Sequence, residues 1–272
     1  MNDRKDLVVV LGSGYAGRFM LPLDNHYSTV LHTSRDPDRH LRSLPSNQRL
    51  RFDLAQPASW HNIPSGADLL WCFPAAPLEA VQHFAQTSAA WGKLVVLGST
   101  SAYDVGGSSE YPPPWIDESA PVDRGKARVQ GEEYLRTACG AILLRVAGIY
   151  GPGRSPYDWI RTGRVTISRK YVNLIHVEDL ANACLAAMRH GARGEVYNVS
   201  DGVPRTWAEI GRTLEGSHTT VAPEGEPQPG GKRIDTAKLR SLLELGGVQL
   251  RHPDVFHALE RMHQEQAADL DR

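Results

Sequence analysis

The first residues able to do chemistry are Gly12-Ser13-Gly14-Tyr15-Ala16-Gly17, directly after the apolar run Leu7-Val8-Val9-Val10-Leu11. A strand ending on this spacing can turn at Gly12, bring bare backbone against an anion at Gly14 and pack a helix closely at Gly17. Residues 15–21 read as the opening of that helix, whose free N–H groups and positive dipole end suit a pyrophosphate lying along Tyr15 and Ala16. An ordinary glycine-rich turn has the same letters. The strand before it and a second apolar run at residues 29–33 favour the phosphate-binding reading.

The second group is Ser34-Arg35, with Ser34 lying 22 positions beyond Gly12 (34 minus 12). In a dinucleotide site an acid near this distance bonds the ribose 2′-hydroxyl. A carboxylate would repel a 2′-phosphate, whereas a hydroxyl and a guanidinium both bind one, the latter in fork geometry. The pair therefore predicts NADP, with NAD as the alternative. The plainer reading of Arg35 is a solvated loop residue beside Asp36.

These groups need elements to hold them. Short apolar runs recur at residues 7–11, 29–31, 69–73, 94–97 and 141–144, and near-continuous apolarity over about five residues suits strands covered on both faces. Between them, residues 77–90 carry a helical stripe of Leu78, Val81, Phe84 and Ala85, and residues 125–138 form a second, more polar helical candidate. The pattern predicts an α/β fold with a Rossmann-type doubly wound parallel sheet over residues 1–150. Residues 151–272 would be mainly a small C-terminal substrate lobe, with some segments returning to the sheet. Three stretches rich in Gly, Ser or Pro (106–121, 151–170 and 216–232) read as loops, and long loops in compact domains often carry function.

Composition narrows the partners. Thirty Lys and Arg against 31 Asp and Glu give a net charge of -1, so no overall field attracts nucleic acid or anionic lipid, and a small molecule is the expected partner. Cys72, Cys139 and Cys184 have neither disulfide nor zinc spacing and read as buried thiols in a reducing compartment. The 11 histidines include no H-x-x-x-H pair, and no metal site is expected. No apolar run approaches membrane-spanning length, so a soluble, cytoplasmic protein is expected.

With the glycine turn, Leu97-Gly98-Ser99-Thr100-Ser101-Ala102-Tyr103 and the segment Arg145-Val146-Ala147-Gly148-Ile149-Tyr150-Gly151-Pro152-Gly153, the chain resembles the extended short-chain dehydrogenase/reductase superfamily. The closest branch is the atypical, NAD-dependent epimerase/dehydratase-like one. Asn173 to Ala181 and Glu195 to Gly202 are similar to later signatures of the group, so the resemblance spans nearly the whole chain. It implies that Phe73, Pro74 and Ala75 end a strand beside the cofactor and that Asp53-Leu54 contacts adenine. It selects Ser99, four residues before Tyr103, as the group polarising a substrate. It also implies a homodimer through the helices at 77–90 and 125–138.

One departure stands out. The family's Tyr-x-x-x-Lys pair, about 25 residues after the serine, falls here on Arg124 and Arg128, and no Tyr-x-x-x-Lys occurs in the chain. A guanidinium stays protonated and cannot serve as an ordinary acid/base. Three readings follow: an oxidoreductase or epimerase-like enzyme using Ser99 with Tyr103, Tyr111 or His176 as proton donor; an NADP-sensing binding protein; or a non-redox cyclase or lyase with Arg124 and Arg128 clamping an anion from one helix face.

Overall fold

The computed structural model describes residues 5–87, 90–105, 108, 110–214 and 230–270. The apolar runs become strands β1 (Lys5–Leu11), β2 (Tyr27–Ser34), β3 (Arg49–Arg51), β4 (Asp68–Trp71) and β5 (Leu94–Ser99). After a two-residue β6 (Trp115–Ile116) come β7 (Ile142–Val146), β8 (Gly148–Tyr150), β9 (Tyr171–Val172), β10 (Leu174–His176), β11 (Val196–Val199), β12 (Arg205–Thr206) and β13 (Arg233–Ile234). The helices are α1 (Pro37–His40), α2 (Leu78–Thr87), α3 (Ala127–Cys139), α4 (Pro156–Arg161), α5 (Val177–His190), α6 (Trp207–Leu214), α7 (Ala237–Leu245) and α8 (Val255–Leu270).

Seven strands make one parallel sheet in the order β3-β2-β1-β4-β5-β7-β11. The order reverses between β1 and β4, which opens a crevice at the strands' carboxyl ends where this architecture binds ligands. Alternate residues feed two cores. Val8, Val10, Val95 and Leu144 pack beneath α5, and Val9, Leu11, Val96 and Leu143 pack with Phe84 of α2 and Leu135 of α3. A slip of one residue in any of these strands would exchange the two faces, so burial on both sides fixes the register.

The first crossover departs from the sequence expectation. Instead of a helix over residues 15–21 the chain makes two 3-10 segments, Gly17–Phe19 and Leu21–Asn25, parted at Met20. Pro22 explains the break, since its ring disfavours helical backbone at Leu21 and it has no N–H to continue an α-helix. Met20 and Leu23 are nonetheless fully buried, so the crossover still covers the sheet.

A smaller lobe is built from three two-stranded pairs, β8 with β10, β9 with β12 and β6 with β13, together with α4, α6 and α8. Its core gathers Tyr150, Leu174, Trp207, Ile210, Val255 and Leu259. The chain does not stay in this lobe after residue 150, because β11 returns to the edge of the large sheet beside β7. Most of the loop expected at 216–232, up to residue 229, lies outside the described residues.

Candidate functional site

Two clefts open at the carboxyl edge of the sheet and share Cys72 and Phe73. The smaller, of about 640 Å³, is lined by Gly12, Ser13, Gly14, Arg18, Ser34, Arg35, His40, Asp53, Leu54 and Phe73. The three glycines carry separable duties. Gly12 has φ +84°, and a Cβ there would sit 2.6 Å from the Phe73 ring. At Gly17 a Cβ would lie 2.8 Å from the Gly12 carbonyl oxygen, so its absence lets the crossover close on the turn. Gly14 has nothing within 4 Å of where a Cβ would be, which leaves open space against bare backbone. That open face is what a pyrophosphate requires, and the turn accordingly fits a dinucleotide.

The turn is stitched to the end of β2. Gly12 N–H donates to Thr33 Oγ1 (2.9 Å), Ser13 N–H to the Thr33 carbonyl (2.9 Å), and Ser13 Oγ lies 3.0 Å from His32 Nδ1. The N–H of Asp36 donates to Ser34 Oγ (3.2 Å), which also lies 2.8 Å from His40 Nδ1. Arg35 is exposed on the cleft wall with His40 beside it. Sequence reasoning did not single out His40 or Arg18. His40 sits on a short helix capped by Asp36, and no spacing rule announces it. Asp53 Oδ1 accepts from Ala55 N–H (3.0 Å), which fixes its carboxylate on the wall of the same cleft.

The larger cleft, of about 1290 Å³, takes in Ala16, Pro74, Ser99, Tyr103, Asp104, Arg128, Arg154, Asn173 and Lys232. Ala75 is fully buried instead, because α3 rests on it: a Cβ at Gly131 would collide with the Ala75 carbonyl oxygen. Ser99 closes β5, and its Oγ accepts from Ser101 N–H (3.1 Å), so its own proton has no acceptor among the described residues.

Tyr103 is buried, and its hydroxyl donates to Asn198 Oδ1 (2.7 Å) and accepts from Arg145 Nη1 (2.9 Å). Burial raises its pKa against the opposing pull of Arg145, so its single proton is both committed and hard to remove. Arg145 reaches on to Glu133 Oε1 (3.0 Å), and Asn198 also bonds the Asp235 carbonyl (3.2 Å). The sequence segment Glu195 to Gly202 thus contributes Asn198, on β11, as the hub joining the turn after β5 to the residue after β13.

Arg124 and Arg128 do not share a helix face, because α3 begins at Ala127 and Arg124 lies exposed in the preceding turn. Arg128 alone lines the cleft, held by Glu132 Oε1 at 2.8 Å. Glu132 is 1% exposed, and burial raises its pKa against the attraction of Arg128. The two-arginine clamp therefore loses its geometric premise. Tyr111 and His176 line neither cleft. Tyr111 lies 5.8 Å, ring to ring, from Tyr171, and His176 caps α5 by accepting from Glu178 N–H (3.3 Å).

Three residues from two distant stretches of sequence do converge: His176, Glu178 and His252, whose ligand-capable atoms lie within 4.8 Å of one another. The His252 and Glu178 side chains meet at 2.9 Å, and Asp179 accepts from the Arg251 and His252 N–H groups (2.6 and 2.9 Å). Burial, reinforced by His252, pushes the His176 pKa down to about 4. The positive end of α5 and Arg251 both disfavour an added cation here. The cluster acts as a clasp holding the segment before α8 onto α5.

Of the thiols, Cys184 is buried while Cys72 and Cys139 are half-buried, and all three are unpaired. Among the described residues no helix is long and apolar enough to cross a membrane.

No protein-family model matches the chain. Protein YeeZ of Escherichia coli K12 is 28% identical over 131 residues, which cover 45% of this chain and 45% of that protein. The chain thus matches about half the length of its curated relatives. Solved structures align over nearly all of it. A Methylobacillus flagellatus protein assigned to the NAD-dependent epimerase/dehydratases superposes with TM-score 0.74 at 23% identity, covering 97% of this chain and 99% of that one. MoeE5, solved with UDP-glucose and NAD, gives 0.70 at 18% identity, covering 96% and 99%. RMD of Pseudomonas aeruginosa, solved with NADPH, gives 0.64 at 14% identity, covering 95% and 97%.

Proposed function

From a chain that carries the fold of the NAD-dependent epimerase/dehydratases and extended short-chain dehydrogenase/reductases, we propose an NADP-binding oxidoreductase or epimerase-like enzyme acting on a small molecule in the cytoplasm. The observation carrying this reading is the junction of the two clefts at Cys72 and Phe73. It sets a phosphate-accepting glycine turn on one side and the unspent Ser99 hydroxyl on the other.

In this reading Gly12, Gly14, Tyr15, Ala16 and Gly17 hold the pyrophosphate, Asp53 and Leu54 the adenine, and Ser34 and Arg35 the 2′-phosphate. Phe73 and Pro74 wall the nicotinamide end, and Ala75 supports them from beneath. The bound nicotinamide supplies a hydride carrier. Ser99 donates a hydrogen bond that orients and polarises a substrate carbonyl. Neither Arg124 nor Arg128 exchanges the proton, because a guanidinium offers N–H donors and no acceptor lone pair.

Fluorescence titration with NADPH and NADH tests the binding half, and loss of NADPH over a panel of carbonyl compounds tests the chemistry. Saturable binding with turnover is the expected result, and failure of both cofactors to bind would end the proposal. Ser99→Ala is then expected to lower turnover by about 100-fold or more. The second reading, cofactor binding without turnover, draws support from the committed proton of Tyr103. Tight NADPH binding with no consumption over the whole panel would favour it.

A further inference from the structure

The missing Tyr-x-x-x-Lys pair leaves the larger cleft without an evident partner for Ser99, and the structure offers one from the far end of the chain. Lys232 stands 132 residues beyond Thr100, yet its Nζ donates to the Thr100 carbonyl at 3.0 Å and also bonds Asp104 Oδ1. An ammonium has three N–H donors. Two are used here, and the third has no acceptor among the described residues, although the side chain is only 18% exposed and lines the cleft. Ser99 is in the same position one residue earlier, with an O–H that finds no acceptor among the described residues.

The backbone at Lys232 is fixed on both sides. Its carbonyl accepts from Asn173 Nδ2 (2.7 Å), and Ile234 N–H donates to Asn173 Oδ1 (3.0 Å). Gly231, at φ +91°, lies so close to the Tyr171 backbone that a Cβ would fall 2.5 Å from the Tyr171 nitrogen. The ammonium is thus carried on backbone held by Asn173, with a glycine required at position 231. Lys126 shares Asp104 through its Oδ2 (2.9 Å) and bonds the Ser101 carbonyl (2.6 Å), but it does not line the cleft. Asp104 consequently neutralises part of two cations, while one donor of Lys232 stays available.

We propose that Lys232 is a substrate-specificity residue of the larger cleft, where its ammonium takes a carboxylate oxygen of a small organic acid while the Ser99 hydroxyl takes a separate oxygen of the same molecule. The proposal rests on the catalytic reading of the larger cleft. In that site Lys232 supplies charge and one N–H, and Ser99 supplies direction through its hydroxyl. Two donors lining one cleft, one of them charged, discriminate for anionic character more strongly than either donor alone.

The test follows lysine side-chain 13Cε and 15Nζ resonances in the NADPH-saturated protein during titration with oxamate and acetate. Lys126→Arg and Lys232→Arg spectra assign the two signals. The expected result is a saturable shift of the Lys232 signal, a smaller one at Lys126, and an apparent affinity about threefold or more weaker in Ser99→Ala. No shift with either probe, equal shifts at Lys126 and Lys232, or indifference to Ser99→Ala would overturn the assignment. The titration itself is read on the wild-type protein, and Lys232→Arg, which keeps the charge, serves only to assign its signal. Failure of NADPH to bind would count against the cofactor reading, and the same oxamate titration on the cofactor-free protein would still decide the role of Lys232.

Discussion

The two clefts are assembled in different ways. The smaller is made almost wholly from residues 12 to 77, on consecutive strand ends, with its hydrogen bonds running between neighbouring strands. The larger gathers residues from β5, α3, the β7 to α4 segment, the β9 to β10 segment and the stretch around Lys232. A site built from adjacent loops can lose ligand affinity while the fold survives. A site whose walls tie distant segments together has stability and function bound to the same side chains.

Asn198 should expose that difference most. It is fully buried and bonds Tyr103 and the Asp235 carbonyl, while its N–H donates to Glu118 Oε1 at 2.7 Å. Asn198→Ala keeps the backbone bond to Glu118 but strands the Tyr103 hydroxyl proton and the Asp235 carbonyl in the interior, each orphaned group costing about 1–3 kcal/mol, so a loss of about 3 kcal/mol is expected in urea unfolding. A loss below about 1 kcal/mol would mean that the far-built wall tolerates slack.

A pH series offers a second handle on the same side. Asp201 donates its N–H to the Leu174 carbonyl beside Asn173, and burial lifts its carboxyl pKa to about 7. Because the folded value is raised, the native state holds the proton more tightly than the unfolded chain, and stability falls as pH rises from near 4 to about 7. Asp201→Asn removes that dependence. The stability difference between variant and wild type should widen in the variant's favour by on the order of 2–3 kcal/mol between pH 5 and pH 8. His176, with its lowered pKa, contributes the opposite slope in both proteins and cancels. A gap that stays constant with pH would show that Asp201 is ionised throughout.

On the cofactor side the effects should be confined to ligand. Gly14→Ala adds a methyl group to open space, so the melting temperature should hold while NADPH affinity drops about tenfold or more. A coupled loss of stability would blur the contrast between the clefts. The smallest expected effect belongs to Arg35→Ala. Charge-assisted hydrogen bonds contribute about 1.5–3 kcal/mol, so NADP should bind at least about tenfold more tightly than NAD in the wild type, and the substitution should erase most of that preference. Calorimetric titration of both cofactors reads it directly. A preference that survives would transfer the role to His40 or Arg18, which line the same cleft. Raised salt should weaken NADP binding more than NAD binding, since Arg35 is exposed.

The sequence by itself determined the parallel sheet and the glycine turn. Both are written in short windows: apolar runs that demand cover on two faces, and glycines whose spacing matches one strand-to-crossover geometry. It misjudged the crossover as a helix because the reading stopped at residue 21, one position before Pro22. Only the tertiary structure decided the larger cleft. It buried the proton of Tyr103 against Asn198, 95 residues away, separated Arg124 from Arg128 by starting α3 at Ala127, and carried Lys232 to the end of β5. Hydrogen bonds between residues so far apart have no period or spacing, since they are set by where packed elements leave donors and acceptors facing one another.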